Sequence, residues 1–142
     1  METDLLEKTV NELMEKFGAG NHKPGSGSAA AFQGMVSAKL ISTVISLTLD
    51  EKRRHIYYDH INILLDFHKD IEERIYPQLT ELFKSDSIQF DKTIKSRIAR
   101  DKEKDEMTKN QLRRQALEDL KVSIAIPFEI ASLCKELAEM SA

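Results

Sequence analysis

The chain has 142 residues, of which 32% are charged and 41% hydrophobic, with a net charge of −3 and a single cysteine. That length suits one domain with a real core, and the charge balance excludes the basic footprint of a nucleic-acid binder. The lone Cys134 excludes an internal disulfide and a cysteine-built metal site, and it fits a cytoplasmic, reducing compartment.

In chain order, Thr3 can cap a first helix that places Leu5, Leu6, Val10, Leu13, Met14 and Phe17 on one face. Gly18 and Gly20 end it, and the acidic, amphipathic N-terminus is unlike a secretory signal. A loop then reaches Pro24, Gly25, Ser26, Gly27 and Ser28, a turn that only permissive residues can make. Gly25 and Gly27 can take positive φ or admit a close neighbour, and Ser26 and Ser28 are candidate N-caps. An apolar helix follows over 28–49, and Ala30, Gly34, Ala38, Ser42 and Ser46 give it a ridge of small residues on which another helix can pack closely. Gln33, Lys39 and the repeated Ser and Thr mark it as a buried core helix rather than a membrane span. The glycine turn has two readings: a helix cap with tight packing, or a helix N-terminus presenting N–H groups to an anion. It is neither a dinucleotide fingerprint nor a P-loop, because residue 30 is Ala, no strand precedes it and no Gly-Lys-Ser/Thr follows.

Residues 50–54 read as a solvated turn, and Ile56, Ile61, Leu64, Leu65, His68, Ile71 and Ile75 as the inward side of a third helix. Pro77 breaks or kinks that helix, and the apolar period resumes from Leu79 to Ile94. The mixed charges of 97–110 read as an exposed connection, after which Thr108 to Gln111 match a capping box. Leu112, Leu117, Leu120, Ile124, Ile130, Ala131, Leu133, Cys134 and Leu137 form the expected buried side of the last helix, with a kink or one-turn break at Pro127. No segment alternates as a strand does, so the fold class is all-α: a helical bundle with a long glycine-capped central helix and a proline-kinked C-terminal helix, expected to self-associate through the small-residue ridge.

Few side chains carry chemistry. His55 and His60 are five residues apart, on different helix faces, and do not share a metal. His22 sits beside the glycine turn, where it can touch a ligand or simply face solvent, and Cys134 on an apolar face reads as core. Asp86 stands out, one turn before Phe90 on a half-buried helix, as either a desolvated proton-transfer carboxylate or a solvated neighbour of Ser85.

The run Pro24-Gly25-Ser26-Gly27-Ser28-Ala29-Ala30-Ala31 followed by Gly34 resembles the P-G-G-G-S-x-A-A-x-x-G signature of the cyclodeaminase/cyclohydrolase family. That family includes the C-terminal domain of formiminotransferase-cyclodeaminase and methenyltetrahydrofolate cyclohydrolases. Leu47-Thr48, Asp86-Ser87-Ile88-Gln89-Phe90 and Ile126-Pro127-Phe128-Glu129-Ile130-Ala131 are similar to its later motifs, in the same order. Ser26 and Gln89 depart from the pattern, where the family has Gly and Ala, and the chain stops short of the family's last helices. The resemblance implies an all-helical homodimer or larger homo-oligomer, with a tetrahydrofolate derivative as substrate, no separate cofactor, no metal, and no nucleic-acid or membrane partner. It implies Asp86 as the catalytic proton-transfer group and Pro24, Gly25, Ser26, Gly27 and Ser28 as substrate-binding residues. The reaction is then cyclodeamination of formimino-tetrahydrofolate or hydrolysis of the methenyl form; the alternative is a non-catalytic helical dimerisation or binding module on the same scaffold.

Overall fold

The computed structural model describes residues 4–142, so the cap expected of Thr3 lies outside the described residues. Among the described residues every regular element is helical. The N-terminal helix expected as one piece is two. A 3-10 turn at Leu5–Glu7 is followed by α1, Val10–Gly18. Thr9 restarts the chain: its hydroxyl accepts the Glu12 N–H while the Glu12 carboxylate accepts the Thr9 N–H.

The central helix α2 spans Ser26–Thr48 and buries Ala31, Gly34, Met35, Ala38, Ser42 and Ile45. By length and composition it could cross a bilayer, yet its buried face packs against later helices and its Lys39 pairs with Glu72 at 2.5 Å. The small ridge is used at its middle. A Cβ on Gly34 would lie 2.9 Å from Cys134 Sγ and 3.1 Å from Leu79 Cδ1, so two other helices close on this point.

A 3-10 turn at Arg54–His60 leads into α3, Ile61–Asp70, and this region is more exposed than its pattern promises, with Ile56 and Leu65 both outward. Pro77 neither breaks nor ends the rod. A π-helical turn at Ile71–Ile75, closed by the Tyr76 N–H on the Ile71 carbonyl, feeds directly into α4, Tyr76–Lys102, and this irregular turn immediately before Pro77 accommodates the proline without a break. The widened turn still points Ile71 and Ile75 into the core.

The charged 97–110 stretch is mostly helix. Residues 103–105 alone link α4 to α5, Glu106–Ser141, and the cap is Asp105, whose carboxylate accepts the Thr108 N–H at 2.8 Å, not Thr108. α5 runs unbroken through Pro127. Its buried positions are Ala116, Asp119, Ile126, Ile130, Leu133 and Leu137, with half-buried Ser123 between, the three-four alternation of a coiled-coil seam. Leu117, Leu120, Ile124 and Ala131, expected inward, are exposed instead.

The seam changes character along its length. Towards α2 it is apolar, with Leu79, Leu82 and Phe83 of α4 against Ile126, Ile130 and Leu133. Towards the hairpin tip it is polar. Asp119, only 3% exposed, accepts from Ser96 Oγ at 2.5 Å, Lys92 Nζ at 2.9 Å and Gln115 Nε2 at 3.1 Å. The Asp119 carbonyl accepts from Gln89 and Thr93, and Thr93 also bonds the Ser123 hydroxyl. These contacts, Ser96 first and Lys92 next, hold the Asp119 carboxyl below the usual carboxylate range.

Candidate functional site

α2 runs antiparallel to the continuous rod of the π turn and α4, as the pairs Ser42–Glu72 and Ser28–Asp86 require, so the glycine turn meets α4 at Asp86. Pro24 is buried after a cis Lys23–Pro24 peptide, and Gly25 takes the N-cap position with extended backbone (φ −94°, ψ −173°). Neither expected serine cap forms: α2 has no side-chain cap from its own N-terminus, Ser26 is exposed and Ser28 is buried within the first turn. The cap comes from 58 residues away. Asp86 Oδ2 accepts the Ser28 N–H at 2.8 Å and lies 3.0 Å from the Ser28 hydroxyl, which is also 3.2 Å from the Phe83 carbonyl. An ionised carboxylate here completes one of the helix's orphan donors and sits at the positive end of its dipole.

Asp86 is 8% exposed, so its carboxylate is buried rather than a solvated neighbour of Ser85. It fits only because residue 27 has no side chain. A Cβ there would stand 2.5 Å from Asp86 Cγ and 2.8 Å from Oδ2, with Oδ1 nearer still. Gly27 is therefore required by close approach, not by backbone conformation; neither Gly25 nor Gly27 has positive φ, and Gly20 (φ 72°) is the glycine that does. At Gly25 a Cβ would meet the His22 carbonyl at 3.4 Å and Asp86 Oδ2 at 3.7 Å, a contact it could tolerate.

The structure thus brings Asp86, Gly25, Gly27 and Ser28 together. It leaves Ser26 at the surface and Pro24 as the buried start of the turn. Sequence reasoning underused His22. Its Nε2 is 3.2 Å from Asp91 Oδ1, and its ring meets Phe90 edge-on with centroids 6.0 Å apart. Lys95 and then His22 hold the Asp91 carboxyl below its usual range. Nothing in the spacing of residues 22 and 91 signals this pair; it depends on how the loop folds back onto α4.

A separate groove of about 450 Å³ runs between α2 and the end of α5, past Ala30, Gly34 and Ser37 on one side and Leu137 and Ser141 on the other. The turn and Asp86 do not line it. Among the described residues no three His, Cys, Asp or Glu side chains converge as a metal site needs.

Fold and site together define a class: an all-helical protein whose central helix starts at a glycine-serine turn and is capped by a buried carboxylate from an antiparallel partner helix. Comparison with known families makes it specific. The model of the formiminotransferase-cyclodeaminase C-terminal domain matches residues 9–142, and the chain belongs to that folate-related family. No curated protein and no solved structure matches it.

Proposed function

We propose that the chain converts a one-carbon unit carried by tetrahydrofolate, as a formimino-tetrahydrofolate cyclodeaminase or a methenyltetrahydrofolate cyclohydrolase. The observation that carries the reading is the contact between Asp86 and the 24–28 turn, two of the segments that resemble the family's motifs, within the matched residues 9–142. Both reactions pass through a tetrahedral carbon between N5 and N10. In one, N10 adds to the formimino carbon and ammonia departs; in the other, water adds to the methenyl carbon and the bond to N5 breaks. Each requires a proton to be taken from the nucleophile and one to be given to the departing nitrogen.

Asp86 is the carboxylate proposed to move protons. Its Oδ2 is fixed by Ser28, and Oδ1 takes no hydrogen bond from any described residue. The 24–28 turn is proposed to bind the substrate. In its first turn the Ser28 N–H goes to Asp86 and the Ala29 N–H to the Gly25 carbonyl. Among the described residues the N–H groups of Ser26 and Gly27 have no acceptor, and they are proposed as donors for an anionic or carbonyl group of the folate.

Self-association belongs to the same proposal. The chain exposes 9800 Å², whereas a compact monomer of this mass exposes about 7,400 Å². The excess, about 2,400 Å², is what one partner of a large permanent interface covers. Apolar stripes are on hand to fill it: Val36, Leu40 and Val44 on α2, and Leu120, Ile124 and Phe128 on α5.

The same Asp86 contact also favours a second reading, a non-catalytic helical module, because a carboxylate that caps α2 already has a structural role. Asp86→Asn separates the two, since the amide keeps an acceptor for the Ser28 N–H and cannot exchange a proton. An enzyme should lose turnover by ~10²-fold or more with folate affinity kept. Unchanged turnover would remove Asp86 from the chemistry.

A further inference from the structure

His22 is the histidine whose backbone lies against the glycine turn while its ring rests on α4. Its carbonyl lies 3.4 Å from the position of a Gly25 Cβ, and that position is 3.7 Å from Asp86 Oδ2. Its ring leans on Phe90, which follows Asp86 by one turn of α4 on the same side. The two residues that hold the ring, Phe90 and Asp91, thus follow Asp86 by about one turn of α4. The ring is oriented rather than free: Phe90 fixes its edge and Asp91 its Nε2.

The protonation pattern follows from the partner. Asp91 also holds Lys95 at 2.7 Å and is ionised, so it can only accept. Nε2 then carries the proton, and a neutral ring presents the lone pair of Nδ1 away from Asp91. The side chain is 44% exposed, so a ligand on the turn can reach it.

Resting on the folate reading above, we propose that His22, positioned by Asp91, is a second proton-transfer residue of the glycine-turn site. In the deamination, the formimino nitrogen takes a proton from solvent through Asp86 and reacts as the amidinium cation; Nδ1 takes the N10 proton as the C–N10 bond forms and the C=N pair moves to that nitrogen, leaving it as –NH2. The imidazolium returns that proton to the same nitrogen, which leaves as ammonia with its bonding pair while the N10 lone pair closes the methenyl cation. In the hydrolysis, Nδ1 takes a proton from water as the C–O bond forms and the iminium pair moves onto N5. The imidazolium then protonates N5 as the C–N5 bond breaks, and the remaining hydroxyl proton passes to Asp86 as the formyl C=O forms.

The test uses the full chain with formimino- and methenyltetrahydrofolate. The charged and titratable groups around His22 are Asp91, Lys95 beyond it, Lys23 beside it and Asp86 across Gly25, so the variants must isolate the ring. His22→Gln keeps a donor for Asp91 but cannot carry a proton; it is expected to lower kcat by ~10²-fold with KM nearly unchanged. Asp91→Asn, which releases the ring without removing it, should lower kcat less than His22→Gln does. Nitrogen NMR of the wild-type imidazole should show the proton on Nε2, and folate binding should shift the Nδ1 signal. Wild-type turnover left unchanged by His22→Gln, or an Nδ1 signal indifferent to bound folate, would overturn this assignment alone. A wild-type protein that neither binds nor converts folate would overturn the reading beneath it as well.

Discussion

Gly27→Ala ought to destabilise this protein, although alanine normally stabilises a helix relative to glycine. The new Cβ falls 2.5 Å from Asp86 Cγ and 2.8 Å from Oδ2, so the whole carboxylate has to leave. It takes with it the acceptor of the Ser28 N–H, on a residue that is fully buried. A hydrogen bond to a charged group contributes about 1.5–3 kcal/mol, and a buried donor without a partner costs a similar amount. Against this, alanine gains at most about 1 kcal/mol of helix propensity. The net loss is about 2 kcal/mol, read as a lowered urea midpoint by far-UV circular dichroism at fixed protein concentration. The decisive arm is the Asp86→Ala background, where the obstacle is gone. There Gly27→Ala should be neutral or stabilising, by up to about 1 kcal/mol. The same effect in both backgrounds would refute a clash between Gly27 and Asp86.

Two further outcomes are expected. The Asp119 carboxyl is held low in the folded chain, so its contribution is present above the ordinary aspartate value, about 3.9, and lost as pH falls through the folded value. Stability should drop below about pH 4, and Asp119→Asn should flatten that limb while lowering stability at pH 7; an unchanged acid profile would mean the buried network is not linked to folding. Light scattering at micromolar concentration should show a dimer or larger species, with Phe128→Glu or Leu40→Glu weakening it. A monodisperse wild-type monomer would refute the inference from excess surface.

The all-helical class was legible because apolar residues recur at helical spacing from Leu13 to Leu137 and no stretch alternates. The α4–α5 seam was harder to read for a definite reason. Its outer half is built from Thr93, Ser96, Asp119 and Ser123, so hydropathy points to the wrong face and marks Leu117, Leu120 and Ile124 as core. Charges in 97–110 likewise decorate a continuing helix, which they suit as well as they suit a loop. At the site, the turn and Asp86 were visible as separate motifs. The reason for Gly27 was not, because the atom that excludes a side chain there belongs to residue 86. His22 and Asp91 are joined only by the tertiary path of the loop.

The central claim is that the turn of residues 24–28 and Asp86 form a working folate site. The most direct measurement is to mix the full chain with 5,10-methenyltetrahydrofolate and follow its absorbance, for wild type and Asp86→Asn in parallel. Saturable binding by both proteins, with the methenyl band decaying in wild type and persisting ~10²-fold longer in the variant, is the predicted result for a cyclohydrolase. For a cyclodeaminase the same band should instead appear from formimino-tetrahydrofolate, again far more slowly in the variant. Absence of binding by the wild-type chain to either folate would contradict the claim and leave Asp86 as the cap of a helical interaction module.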